Sequence, residues 1–144
     1  MHRLDTQIEI EASAARVWSV LMDFPGYARW NPFVRSIDGR PTVGASLHVL
    51  IQPPGSRGMR FRPKVLAVEP RREFRWKGRL LLPGLFDGQH FFVLEPKSET
   101  RVVLHQGEIF TGALVALFRR SVDGPVRRGF LAMNDAIKRE AEAG

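Results

Sequence analysis

His90 and Glu108 are the two side chains of this sequence best placed to move a proton. Each sits in a run where apolar residues recur at every second position, His90 to Leu94 and Val102 to Phe110. In a strand, residues of one parity share one face. His90 therefore shares a face with Phe92 and Leu94, and Glu108 with Val102, Leu104, Gln106 and Phe110. A carboxylate on such a face loses hydration unless a cation or a hydrogen-bond donor compensates. A neighbouring imidazole supplies that donor, and the two could work as an acid-base couple on an enolisable ketone or polyketide. The same residues could instead form a buried pair that satisfies only itself, as most buried polar groups do. Thr6 and Gln106 are the other polar members expected on the inner face.

Other chemistries find no support. There are 0 cysteines, which excludes disulfides, thiolate metal ligands and cysteine nucleophiles. His2, His48, His90 and His105 lack a converging spacing, and parity turns His48 and His105 outward, so neither a metal nor a cofactor is expected. Ser56 and Ser121 stand in no nucleophile elbow. Gly84 to Gly88 has no Gly-Lys-Ser/Thr ending and opens no helix, so it is not a phosphate loop.

The elements that must hold these side chains follow from periodicity. Leu4, Thr6, Ile8 and Ile10 alternate with polar residues and predict a strand. Ser13 caps a predicted helix over Ala14 to Met22. Pro25 and Pro32 each push the preceding residue out of the α region, leaving room for one short helical turn. Phe24, Tyr27, Trp30 and Phe33 crowd that corner and either plug a core or rim a pocket. Val34 to Ile37 and Leu47 to Ile51 read as strands. Met59, Phe61, Pro63, Val65 and Ala67 predict one face of a single strand, opposite Arg60, Arg62 and Lys64. Phe74, Trp76 and Gly78 oppose Arg75 and Lys77 in the next. Leu80 to Phe86 is an apolar loop, which is unusual because connections are normally solvated. From Ala113 the period becomes helical, with a short helix over about 113–120 and a main helix over about 123–142, started or kinked at Pro125.

The expected fold is α+β over residues 1–144 as one domain: seven antiparallel strands, two short helices after the first, and a long C-terminal helix. A sheet this one-faced needs a cover, and only the last helix is long enough to supply it.

The net charge is +7, with Arg57, Arg60, Arg62, Lys64, Arg71, Arg72, Arg75, Lys77 and Arg79 close together. Alternation puts the strand members of this set on the outer face. A single-strand platform would need aromatics interleaved on that face, and none is expected there, so no nucleic-acid partner is predicted. No apolar run approaches the roughly 18 residues of a membrane span, and the start lacks the apolar core of a signal peptide. A cytoplasmic protein without integral membrane association is expected.

Over essentially the whole chain the sequence resembles the helix-grip superfamily of START domains, plant pollen allergens and polyketide cyclase or dehydrase-like proteins, known as SRPBCC. The resemblance rests on Ile8-Glu9-Ile10-Glu11-Ala12 with Val17-Trp18, on Tyr27 with Trp30-Asn31-Pro32-Phe33, and on Trp76-Lys77-Gly78. Gly88-Gln89-His90-Phe91-Phe92, Glu108-Ile109-Phe110-Thr111-Gly112, and Gly129-Phe130 with Met133-Asn134 continue it. It implies a curved sheet wrapped around the last helix, with a space between them for a hydrophobic small molecule such as a lipid or polyketide. Inward strand parity then names Met59, Phe61, Trp76, His90, Phe92, Gln106 and Phe110 as the wall together with Phe130 and Met133 of the last helix, and the aromatic corner supplies Trp30 and Phe33 as the rim. Superfamily members carry no universal catalytic residue. Binding, transport or sequestration of such a molecule is the leading expectation. The alternatives are a polyketide cyclase or dehydratase-like enzyme using His90 and Glu108, and a protein-interaction module using the basic face. A dry cavity favours the carrier, a His-Glu pair facing space favours the enzyme, and a collapsed cavity favours the interaction module.

Overall fold

A computed structural model describes residues 1–80 and 82–144 of the chain. In chain order the elements are β1 (His2–Ile10), α1 (Ala14–Met22), a 3-10 turn (Phe24–Gly26), α2 (Tyr27–Trp30), β2 (Val34–Asp38), β3 (His48–Ile51) and β4 (Met59–Phe61). There follow β5 (Lys64–Glu69), β6 (Glu73–Leu80), β7 (Phe86–Ser98) and β8 (Arg101–Thr111). The chain ends in α3 (Val115–Ser121), a π-helical turn (Val122–Val126) and α4 (Arg127–Ala143).

The strands form two antiparallel sheets, ordered β1-β8-β7-β6-β5 and β2-β3-β4. Eight strands therefore stand among the described residues, not the seven expected. Proline explains the difference. Pro63 has no N–H to give a ladder, so the run from Met59 to Ala67 divides into β4 and β5. The two sheets stay joined where Leu47 N–H donates to the Pro63 carbonyl at 2.8 Å and Val65 N–H to the Ala45 carbonyl at 2.9 Å. A bulge at Leu66 then shifts the register. Val65 stands opposite Trp76, but Ala67 stands opposite Arg75 and Val68 opposite Phe74. Ala67 thus joins the outer face, and Val68 packs on the core in its place.

The aromatic corner is rigid for identifiable reasons. Pro25 occupies the first turn of the 3-10 segment, where a missing N–H costs nothing. The Tyr27 hydroxyl is buried and donates to the Leu21 carbonyl at 2.7 Å. Burial, reinforced by the negative charge of Asp23, pushes that hydroxyl well above its ordinary pKa. Asn31 Oδ1 accepts from the Phe33 and Val34 amides, both at 2.9 Å, which turns the chain into β2.

The covering helix buries Phe130, Met133, Asn134, Ile137 and Ala141 against the sheet and α1. Its C-terminal carbonyls are satisfied from α1: Arg16 Nη2 donates to the Glu140 carbonyl at 2.8 Å and Nε to that of Ala141 at 3.2 Å. Gly129 permits the closest approach, since a Cβ there would stand 2.2 Å from Phe33 Cδ1.

The outer face departs from expectation in one respect. Arg60, Arg62 and Lys64 are exposed, but Arg75 and Lys77 are half-buried. Arg75 pairs with Glu73 at 3.0 Å and, like Arg3, lies over the ring of Phe91, at 4.9 and 5.2 Å from its centroid. An aromatic does stand among the cations, contributed by the neighbouring strand. It is buried, so it braces the arginines and offers no free stacking face. No helix among the described residues is long and apolar enough to cross a membrane.

Candidate functional site

Gly78 and Gly88 face each other in the β6–β7 register, and Phe110 follows opposite Gly88 on β8. Neither position carries a side chain, and a cavity of about 390 Å³ lies beside them, with the Glu108 carboxylate covering Gly88 and Gly78 left open. Val49 and Ile51 of β3, Met59 and Phe61 of β4, Trp76 and Leu80 of β6, and Phe86 of β7 form much of its apolar wall. Phe118, Val122, Pro125 and Val126 close it from the helical side. Pro125 cannot donate, and the Arg127 amide reaches back to the Val122 carbonyl, which widens the helix into the π turn beside the cavity.

Further along the same face, α4 sits directly on the sheet. Gln106 Nε2 donates to Asn134 Oδ1 at 2.6 Å and to the Phe130 carbonyl at 3.3 Å. Asn134 Nδ2 donates to Thr6 Oγ1 at 2.9 Å, and that hydroxyl donates to the Gln106 carbonyl at 2.7 Å. The space between sheet and helix is therefore filled here, whereas the cavity lies toward the π turn.

His90 stands at the boundary between the two regions. Its side chain is 1 % exposed and its ring centroid lies 4.8 Å from those of Phe92 and Phe130 and 5.0 Å from that of Trp76. Nε2 is 2.9 Å from Gln106 Oε1, and Nδ1 is 3.4 Å from Glu108 Oε1. Glu108 lies opposite His90 in register and is 18 % exposed, at the cavity wall. Its carboxylate rests over Gly88, where a Cβ would be 2.0 Å from Oε2. Any other residue at Gly88 would displace it. Imidazole and carboxylate are thus within ion-pair distance of each other, beside the cavity.

The family model described as "Polyketide cyclase / dehydrase and lipid transport" matches residues 1–144. The chain belongs to this family. Among solved structures, the Zhui aromatase/cyclase from Streptomyces sp. R1128 superposes with a TM-score of 0.79 at 18% identity, covering 98% of this chain and 93% of that one. Norcoclaurine synthase from Thalictrum flavum, in complex with dopamine and hydroxybenzaldehyde, gives 0.73 at 17% identity, covering 99% and 87%. Protein MLL2253 from Mesorhizobium loti gives 0.76 at 18% identity, covering 99% and 98%. These likenesses show the helix-grip fold of the polyketide cyclase and lipid-transport family. No curated protein matches the sequence.

Within that fold the expected site residues divide. Phe33, Met59, Phe61, Trp76, His90, Glu108 and Phe110 come together at the cavity. Trp30, Phe92, Gln106, Phe130 and Met133 do not reach its wall. Trp30 tilts against Tyr27, with ring centroids 5.0 Å apart. Phe92, Gln106, Phe130 and Met133 are buried in the filled half, where α4 sits on the sheet. Sequence parity gives the face of a strand but not the level along it at which a helix lands. The apolar loop carried the missed signal: Leu80 and Phe86, at its two ends, both line the cavity, while Leu81 lies outside the described residues. Asn134, four residues after Phe130 on the buried stripe, is a further polar residue that helical spacing turns toward the sheet. Among the described residues no group of three histidine, aspartate or glutamate side chains converges as a metal site requires. His48 is exposed, and His105 pairs with Glu95 at 3.0 Å.

Proposed function

We propose that this chain binds a hydrophobic small molecule, such as a lipid or polyketide, in the cavity over Gly78 and Gly88. The cavity itself carries the reading: about 390 Å³ of open space with a largely apolar wall is within the range of small-molecule sites. Each 100 Å² of apolar ligand surface buried there contributes about 2.5 kcal/mol before ordering costs. An open cavity is also the opposite of the collapsed one that an interaction module would favour. Native mass spectrometry of freshly purified protein tests the reading. An adduct that is released with the apolar fraction on denaturation is expected, whereas a bare polypeptide mass together with no uptake of added apolar probes would overturn it.

One observation favours a second reading, acid-base catalysis on the bound molecule. Glu108 and His90 both line the cavity with Nδ1 and Oε1 3.4 Å apart, a contact that has to shorten in a ligand complex for a proton to pass. The fold shared with an aromatase/cyclase and with norcoclaurine synthase supports it. Glu108 would exchange the proton with the ligand, and His90 would hold that carboxylate in place from behind.

A further inference from the structure

Two main-chain carbonyls fix the polarity of the hydrogen-bond chain behind His90. The Phe130 carbonyl can only accept, so the Gln106 group 3.3 Å from it is the amide nitrogen. The Thr6 hydroxyl spends its hydrogen on the Gln106 carbonyl, so toward Asn134 it accepts, and Asn134 must present Nδ2 to it. Asn134 Oδ1 then faces Gln106 Nε2, which agrees with the first constraint. Flipping either amide would set oxygen against oxygen. Gln106 therefore has its oxygen left for His90, and the His90 nitrogen 2.9 Å away must carry a hydrogen.

That nitrogen is Nε2. In a neutral imidazole protonated there, Nδ1 is a lone pair, and it faces Glu108 Oε1 at 3.4 Å. Two acceptors in apposition repel; one proton between them removes the repulsion. With that proton in place the couple turns no N–H toward the cavity. It presents Glu108 Oε2, an acceptor, over Gly88.

We infer that Gln106, with Asn134 and Thr6, is a positioning residue that holds His90 in its Nε2–H form, and that the couple consequently selects apolar ligands bearing a hydroxyl donor, such as a phenol or an enol. The ligand half of this inference rests on the cavity reading; the tautomer half stands without it.

Histidine-labelled protein near neutral pH, read by ¹⁵N NMR, tests the first half. His90 is expected to carry hydrogen on Nε2, and Gln106→Leu to lose that signature. Bare Nε2 with hydrogen on Nδ1 in the wild type would overturn the assignment. Should Gln106→Leu fail to fold, Gln106→Met keeps more of the side chain's length and removes the same acceptor, and an unchanged His90 signature there would overturn the positioning role. The second half is read by titrating 2-naphthol and 2-methoxynaphthalene, which differ in the donor. The naphthol is expected to bind about tenfold or more tightly, the gain typical of one hydrogen bond to a charged acceptor. Equal affinities overturn the donor preference and leave the cavity reading standing. Binding of neither removes both, while the NMR signature still decides the tautomer.

Discussion

His90 and Glu108 stand opposite one another in the β7–β8 register, and their side chains meet at the cavity wall with Nδ1 3.4 Å from Oε1. Gly88 makes the meeting possible, because any Cβ there would occupy the place of the carboxylate. The pair is thus asymmetric: the imidazole is sealed among aromatics and the carboxylate is open to the cavity.

Glu108→Gln removes the charge and keeps the bulk. The side chain is partly solvated, so the expected stability change is below about 1 kcal/mol, and apolar-probe binding should hold within about twofold. If the couple is catalytic, turnover of an enolisable ketone falls by about 10² to 10⁴ in the same variant. Thermal melts, probe titrations and turnover assays on one preparation measure all three.

Gly129→Ala should destabilise the protein through overpacking. The added Cβ would stand 2.2 Å from the ring of Phe33, a buried residue that also lines the cavity. A loss of about 1–3 kcal/mol in chemical denaturation is expected. An unchanged midpoint would show that α4 and the corner can separate without cost.

These particulars show what was legible in the sequence. Strict alternation placed His90 and Glu108 on one face, because a strand leaves a side chain only two directions. The same rule misplaced Ala67, since a bulge inverts parity and nothing in the sequence marked Leu66 as its position. Pro63 did mark the break between β4 and β5, and its missing N–H outweighs the apolar pattern running through it. Parity makes Gln106 a wall residue, yet it stands behind His90, because the landing of Asn134 on the sheet is a tertiary fact. Phe86, Phe118 and the π turn come together only once β7 and the final helices are in place.

The far end of α4 carries a pH dependence. Hydrogen bonding from Arg29 at 2.6 Å, assisted by its charge, holds the Glu140 carboxyl below the usual range. Hydrogen bonds from Lys138 and then from the Glu11 amide do the same for Glu142. A depressed folded pKa stabilises the protein fully above the unfolded value near 4.3, and that stabilisation is lost as pH falls through the folded value. The double variant Glu140→Gln, Glu142→Gln should therefore melt below the wild type at about pH 6, with the gap closing at about pH 2. A gap of constant size across that range would contradict the assignment.

Binding in the cavity over Gly78 is the central claim, and filling that cavity tests it most directly. Trp76→Ala is a poor probe, since truncating a buried tryptophan costs about 3–5 kcal/mol by itself. Gly78→Phe is better. Among the described residues a Cβ at Gly78 meets only Pro63 Cβ, at 3.8 Å, so a larger side chain can start into the space. The measurement is fluorescence titration of an environment-sensitive apolar dye against the wild type and Gly78→Phe, with circular dichroism to confirm the fold. Saturable binding to the wild type, weakened about tenfold or more in the folded variant, is the predicted result. Equal binding to both proteins would contradict it.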